Sequence, residues 1–161
     1  MRITGLDPTK VWASTETPEF VVNTLAFDED GKGYIFVKGK ASTSIVAGDV
    51  CQIEENGEAS EVTVTTTAPG TGQGLPVGVA ISTIAAGGWG WLQVYGVIAA
   101  INVATSAAAH TILNSTATAG RVDDDASAGA EKIDGVTTTA AESSNSAAGI
   151  LVFPRVGLTG A

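Results

Sequence analysis

The sequence predicts a mainly β chain: a compact β-sandwich or barrel-like domain behind an extended N-terminal arm. Three observations carry this. The 161 residues include 20 glycines, with frequent Ser and Thr, a composition that disfavours helices and suits short strands joined by tight turns. Apolar residues recur with a period of two in several runs. Asp-Gly and Asn-Gly turn signals separate those runs.

Residues 1–19 hold Pro8 and Pro18 and no steady period, so they read as an arm. Within it Val11 and Trp12 form an apolar pair. Trp12 has two destinations, its own domain or a neighbouring molecule, and aromatic side chains are favoured as buried anchors at interfaces. Val11 and Trp12 are therefore the candidate partner-binding residues, and the arm is expected to reach across to a neighbouring subunit or another partner surface.

A β-rich domain is expected over residues 20–156, with a short tail over 157–161. Strand signals fall on Phe20, Val21 and Val22, and on Leu25, Ala26 and Phe27. A turn at Asp28-Glu29-Asp30-Gly31 follows, then the run from Tyr34 to Lys38, which makes a hairpin. Ala47-Gly48-Asp49 turns into a strand from Val50 to Ile53, and Asn56-Gly57 marks another hairpin. Glu61-Val62-Thr63-Val64-Thr65 alternates like a half-buried strand. After a Pro/Gly-rich loop, strands are expected from Pro76 to Ile81 and from Trp89 through Val103. Residues 104–113 are the one helix candidate. Further strands are expected over 132–137 and 149–154, with a low-complexity loop at 140–147. The core is expected to draw on Phe36, Val50, Ile53, Val79, Trp91, Val94, Ile150 and Val152.

Two stretches repeat one order of events. The first runs from Ala47-Gly48-Asp49-Val50 through the Gly78-Val79 strand to Gly90–Gly96. The second runs from Ala109-His110-Thr111-Ile112 through the Gly135-Val136 strand to Gly149–Pro154. Duplication of a β unit explains this order, and so does the monotony of glycine-punctuated strands.

Composition excludes several function classes. Only eight Lys and Arg stand against 17 Asp and Glu, giving a net charge of -9. Nucleic acid and anionic membranes are therefore poor partners, because both need clustered cations. The N-terminus lacks the apolar run of a signal peptide. No stretch has the unbroken apolar length of a membrane helix. Asn114-Ser115-Thr116 matches a glycosylation acceptor, which without a secretion signal reads as chance.

The inventory for chemistry is thin, and no enzyme activity, metal or cofactor is expected. Cys51 is the single cysteine and His110 the single histidine. A thiolate–imidazole dyad needs both, yet neither lies in a recognisable signature. Gly70-Thr71-Gly72-Gln73-Gly74 lacks the Lys-Ser/Thr ending of a phosphate loop. Asp28 to Gly31 lacks the later ligands of a calcium loop. Asp123-Asp124-Asp125 reads as a solvated run. Trp89 and Trp91 alternate, so they share a sheet face, where paired aromatics pack a core or stack on sugar rings.

The order of segments resembles the decoration (cement) proteins of tailed-phage heads. The resemblance rests on the 20–41 region with its Asp-Gly turn and Tyr-x-Phe-Val strand, and on Ala47-Gly48-Asp49-Val50 through Gly78-Val79-Ala80. It rests above all on Gly90-Trp91-Leu92-Gln93-Val94-Tyr95-Gly96, and on Gly120-Arg121-Val122, Gly135-Val136 and Phe153-Pro154-Arg155-Val156. It covers about residues 20–156 as a pattern; the long arm and the Thr-rich segment 63–67 have no counterpart in it. It implies a β-rich structural protein bound to the outer surface of the virion, assembled in the host cytoplasm. Its implied partners are the major capsid protein and copies of itself, as a homotrimer. The alternative is a carbohydrate- or receptor-binding β module of a virion fibre, motivated by Trp89 and Trp91.

Overall fold

A computed structural model describes residues 5–158. The first four positions of the expected arm and the last three of the expected tail lie outside them. Ten strands follow one another: β1 (Leu25–Phe27), β2 (Gly33–Gly39), β3 (Val50–Ile53), β4 (Glu58–Glu61), β5 (Val77–Ala80), β6 (Trp89–Asn102), β7 (Leu113–Ser115), β8 (Val122–Asp123), β9 (Lys132–Thr138) and β10 (Ser146–Val156). The mainly β class is as expected, and the described residues contain no helix.

The strands form one sheet in the order β1-β2-β4-β3-β5-β6-β10-β9-β7-β8, and β2 also pairs with β6. That extra pairing closes β2, β4, β3, β5 and the first half of β6 into a small barrel. The second half of β6 then begins another. It pairs antiparallel with β10, and just beyond it Val103 bridges Val122 in parallel, closing β8, β7, β9 and β10 around a second axis. One long strand thus ends the first barrel and starts the second. Closure leaves few free edges, which suits strands this short.

The two barrels are built alike. In the first, β2 pairs parallel with β4 and antiparallel with β6; in the second, the latter half of β6 pairs antiparallel with β10, and Val103, just after it, bridges β8 in parallel. Matching hydrogen bonds recur at matching places. The Gly48 N–H donates to the Ala80 carbonyl at 2.7 Å and that of His110 to Thr138 at 2.9 Å. Ile84 donates to Ile45, and Glu142 to Ala107. Gly39 donates to Gly88, and Val103 to Asn145. Gly48 and His110 both have left-handed backbone, with φ of 91° and 58°. The repeated order of events in the sequence is therefore a structural repeat.

Strand alternation fills both interiors. Val37, Cys51, Ile53, Ala59, Ala80 and Leu92 point into the first barrel, with Ile45 and Ile84 among them. The other faces of β3 and β5 carry Val50, Val77 and Val79, which join Ile101, Leu113, Val122, Ile133, Leu151 and Val156 in one continuous cluster. β3 and β5 are covered on both faces, so every residue in them is buried. A third cluster seals the outer face of β2 and β6, with Trp12, Ala26, Tyr34, Phe36 and Trp91 at its centre.

Several expectations need correction. Residues 104–112 form turns, not a helix; Ser106 and His110 have positive φ, of 74° and 58°, which a right-handed helix excludes. The strand expected over 61–65 ends at Glu61. Thr63 then accepts from the N–H groups of Thr65 and Thr66 through its hydroxyl, and its own N–H donates to Thr66 Oγ1 at 2.8 Å. Threonine hydroxyls here offer the backbone a turn in place of a ladder. Phe20, Val21 and Val22 form no strand, and Asn23 turns the chain at φ 65°. β10 starts earlier than expected, at Ser146, after a tight turn through Ser144 and Asn145.

The core expectation holds for Phe36, Val50, Ile53, Val79, Trp91 and Val94 and fails for Ile150 and Val152, which are 41% and 58% exposed. The parity of β10 is the reverse of that expected: Ala147, Gly149 and Leu151 face inward. A Cβ on Gly149 would lie 2.8 Å from the Thr137 carbonyl oxygen, so this inward position favours glycine.

Candidate functional site

Of the two destinations for Trp12, its own domain is the one it occupies. Its backbone bridges Trp89, with N–H···O contacts of 2.9 Å in both directions. Its ring packs edge-on against Phe36, centroids 5.3 Å apart, and against Phe20 at 6.2 Å. It is 6% exposed. Lys10 covers the ring at 4.8 Å and pairs with Glu19, holding the described part of the arm closed on itself. Val11 remains 41% exposed beside Gly90. Among the described residues, then, the arm reads as the lid of the first barrel.

Trp89 and Trp91 do share a face, as alternation requires, and that face is the one the arm covers. Trp91 is 1% exposed and packs on Phe20 and Phe36. Trp89 is half-buried, with Lys38 Nζ 5.6 Å from its ring centroid. No stacking platform for a sugar ring is built from this pair.

Cys51 and His110 lie in different barrels. Cys51 is sealed inside the first, where burial, with Asp49 and Glu61 nearby, pushes its thiol well above the usual range. His110 is exposed in the turn before β7. Asp28 does turn work: it accepts from the Lys32 N–H at 2.9 Å and from the Tyr34 hydroxyl at 3.0 Å. In the Asp123 to Asp125 run, Asp124 accepts from the Ala108 N–H. Among the described residues, no group of three or more His, Cys, Asp or Glu side chains is placed to hold a metal ion. Asn114 is buried on β7 and paired with Asp123.

Two features were not visible in the sequence. The first is a carboxyl pair where the barrels meet. Asp49 is buried, accepting from the Val46 N–H at 2.7 Å and from Asn102 Nδ2 at 2.9 Å. Gly120, from the second barrel, accepts from the Val50 N–H and lies so close that a Cβ would sit 2.5 Å from the Asp49 carboxylate. Glu61 lies beside Asp49, and burial together with that neighbouring carboxylate raises its carboxyl above the ordinary value.

The second is an apolar face along the seam of β6 and β10. Val97 lies opposite Ile150, and Tyr95 opposite Val152. Phe153 stacks on Tyr95 with centroids 5.3 Å apart, and Phe27 meets the same ring at 6.2 Å. Phe153 has φ 45°, a backbone that a bulky residue adopts only at a cost of about 1–3 kcal/mol. It sits in a bulge where Leu151 and Arg155 pair with Val136 and Asp134, leaving three residues opposite Gly135. The bulge swings Phe153 outward onto Tyr95. Only the glycine at 149, which needed an inward position, signalled in sequence that Ile150 and Val152 face out.

No protein-family model matches this chain, and no curated protein matches it in sequence.

Proposed function

We propose that this chain is a structural virion protein that binds the outer surface of a phage capsid and stabilises the shell. The observation that carries this reading is the correspondence between the resemblance and the frame. Gly90–Gly96, its most specific segment, lies in the strand that both barrels share. Gly120-Arg121-Val122 and Gly135-Val136 supply the close approach to Asp49 and the bulge opposite Phe153. The residues of the resemblance are thus the ones that tie the two barrels into one body. A preorganised body loses little entropy on docking, and a protein that braces a shell needs that property. Homotrimeric assembly on the major capsid protein, as the resemblance implies, would add multivalent avidity.

The carbohydrate-binding alternative rested on Trp89 and Trp91, whose face the arm occupies. The decisive measurement is the protein composition of purified particles. The chain should be present in copy numbers comparable to the major capsid protein, and purified chain should rebind particles stripped of it. Particles that lack the chain would sink the proposal.

A further inference from the structure

Of the five asparagines in the chain, Asn56 alone precedes a glycine. Glycine has no Cβ to screen its own backbone nitrogen, so an asparagine before it is open to loss of its amide without an enzyme. The Gly57 nitrogen, once deprotonated, attacks the Asn56 Cγ. The new N–C bond closes a five-membered imide, and the Cγ–Nδ2 bond breaks to release ammonia. Water then opens the imide at either carbonyl, which leaves aspartate or its β-linked isomer at position 56. Asn56 is exposed in the turn between β3 and β4, so water and ammonia pass freely.

The closed turn engages both reacting groups. The Gly57 N–H donates to the Glu54 carbonyl at 2.9 Å. Asn56 Oδ1 accepts from the Glu58 N–H at 2.9 Å, and Nδ2 donates to Glu58 Oε2 at 3.2 Å. Gly57 is buried with φ 80°, and a Cβ there would lie 2.5 Å from Val22 Cβ. We infer that Asn56 is a deamidation site whose rate is set by local opening of the β3–β4 hairpin. The other asparagines are screened. Asn23 and Asn102 precede Thr24 and Val103, whose branched side chains crowd the nitrogen. Asn114 is buried, and Asn145 Oδ1 accepts from Arg121 at 2.9 Å. The product fits the turn badly. A carboxylate at position 56 meets Glu58 Oε2 where an N–H donor stood, and the β-linked isomer adds a carbon to the main chain. The Lys38 N–H donates to the Gly57 carbonyl and that of Lys40 to Ala59, bonds that hold β4 to β2. Conversion at Asn56 therefore loosens the closure of the first barrel.

Peptide mapping by mass spectrometry tests this on the full chain aged in mildly alkaline buffer, with and without denaturant. The β-linked product is counted by an isoaspartyl methyltransferase assay. Conversion at Asn56 should precede conversion at every other asparagine. It should run about tenfold or more slower in the folded chain than in denaturant, because the reaction waits for a local opening. The converted chain, separated by its extra negative charge, should unfold at lower denaturant than the intact chain. Another asparagine reacting first in the folded chain overturns the assignment of the site. Equal rates with and without denaturant overturn control by the hairpin, and unchanged stability of the converted chain overturns the loosening of the barrel.

Discussion

Leu151 and Val152 are neighbours with opposite fates, and a pair of truncations separates them. Leu151 is fully buried between β6 and β9 and Val152 is 58% exposed. Leu151→Ala should cost about 2–5 kcal/mol, the range for a buried leucine. Val152→Ala, in dilute solution, should stay within about 0.5 kcal/mol, as surface changes do. Denaturant titration of both variants reads the difference, and equal losses would refute the inward parity of β10. The Asp49–Glu61 pair carries a second residue-scale prediction. Glu61 has its carboxyl raised from the ordinary 4.5, so the folded chain binds that proton more tightly than the unfolded one. Its contribution is complete below the ordinary value and is lost as pH rises through the raised one. Glu61→Gln keeps the shape of the side chain and removes its charge at every pH. The variant should match the wild type near pH 4 and exceed it in stability at neutral pH. A stability difference that does not change with pH would show that the Glu61 carboxyl is not raised by folding.

At the scale of elements, the arm belongs to the fold. Trp12 closes a ring cluster over Phe36 and Trp91, so Trp12→Ala should cost about 3–5 kcal/mol by denaturant unfolding. A cost below about 1 kcal/mol would mean that the arm is an accessory. Most elements were legible because their signals are local. Asp28 to Gly31 and Asn56-Gly57 make the hairpins their residues specify, and the apolar run from Trp89 is the longest strand. What stayed hidden depended on distant partners. The alternation of Glu61 to Thr65 is genuine, yet hydroxyl bonds from Thr63 and Thr66 end the strand. The Ala-rich 104–113 segment had helical composition, but it must repeat the turn geometry that Gly48 supplies in the first barrel. The exposed face was missed because β10 reads apolar on both sides: one side fills a barrel, and the other lies bare.

The whole molecule should unfold as one unit. The cluster that fills the second barrel also takes Val50, Val77 and Val79 from the first, and β6 belongs to both. Melting the first barrel removes part of the second barrel's core, and melting the second bares the outer faces of β3 and β5. Calorimetric and van't Hoff enthalpies should therefore agree, and tryptophan fluorescence, which reports on the first barrel, should track circular dichroism. Two separated transitions would show that the barrels are independent.

The strand common to both barrels also bears on inheritance. Tandem modules usually shuffle because a crossover can fall in the linker between them. Here the boundary is Trp89–Asn102 itself, and a break inside it removes a wall from each half. Recombination has no neutral place to cut. Gain or loss of one repeat would have to arrive together with a replacement strand, so the two halves are bound to descend as a pair, each limiting the substitutions the other can accept.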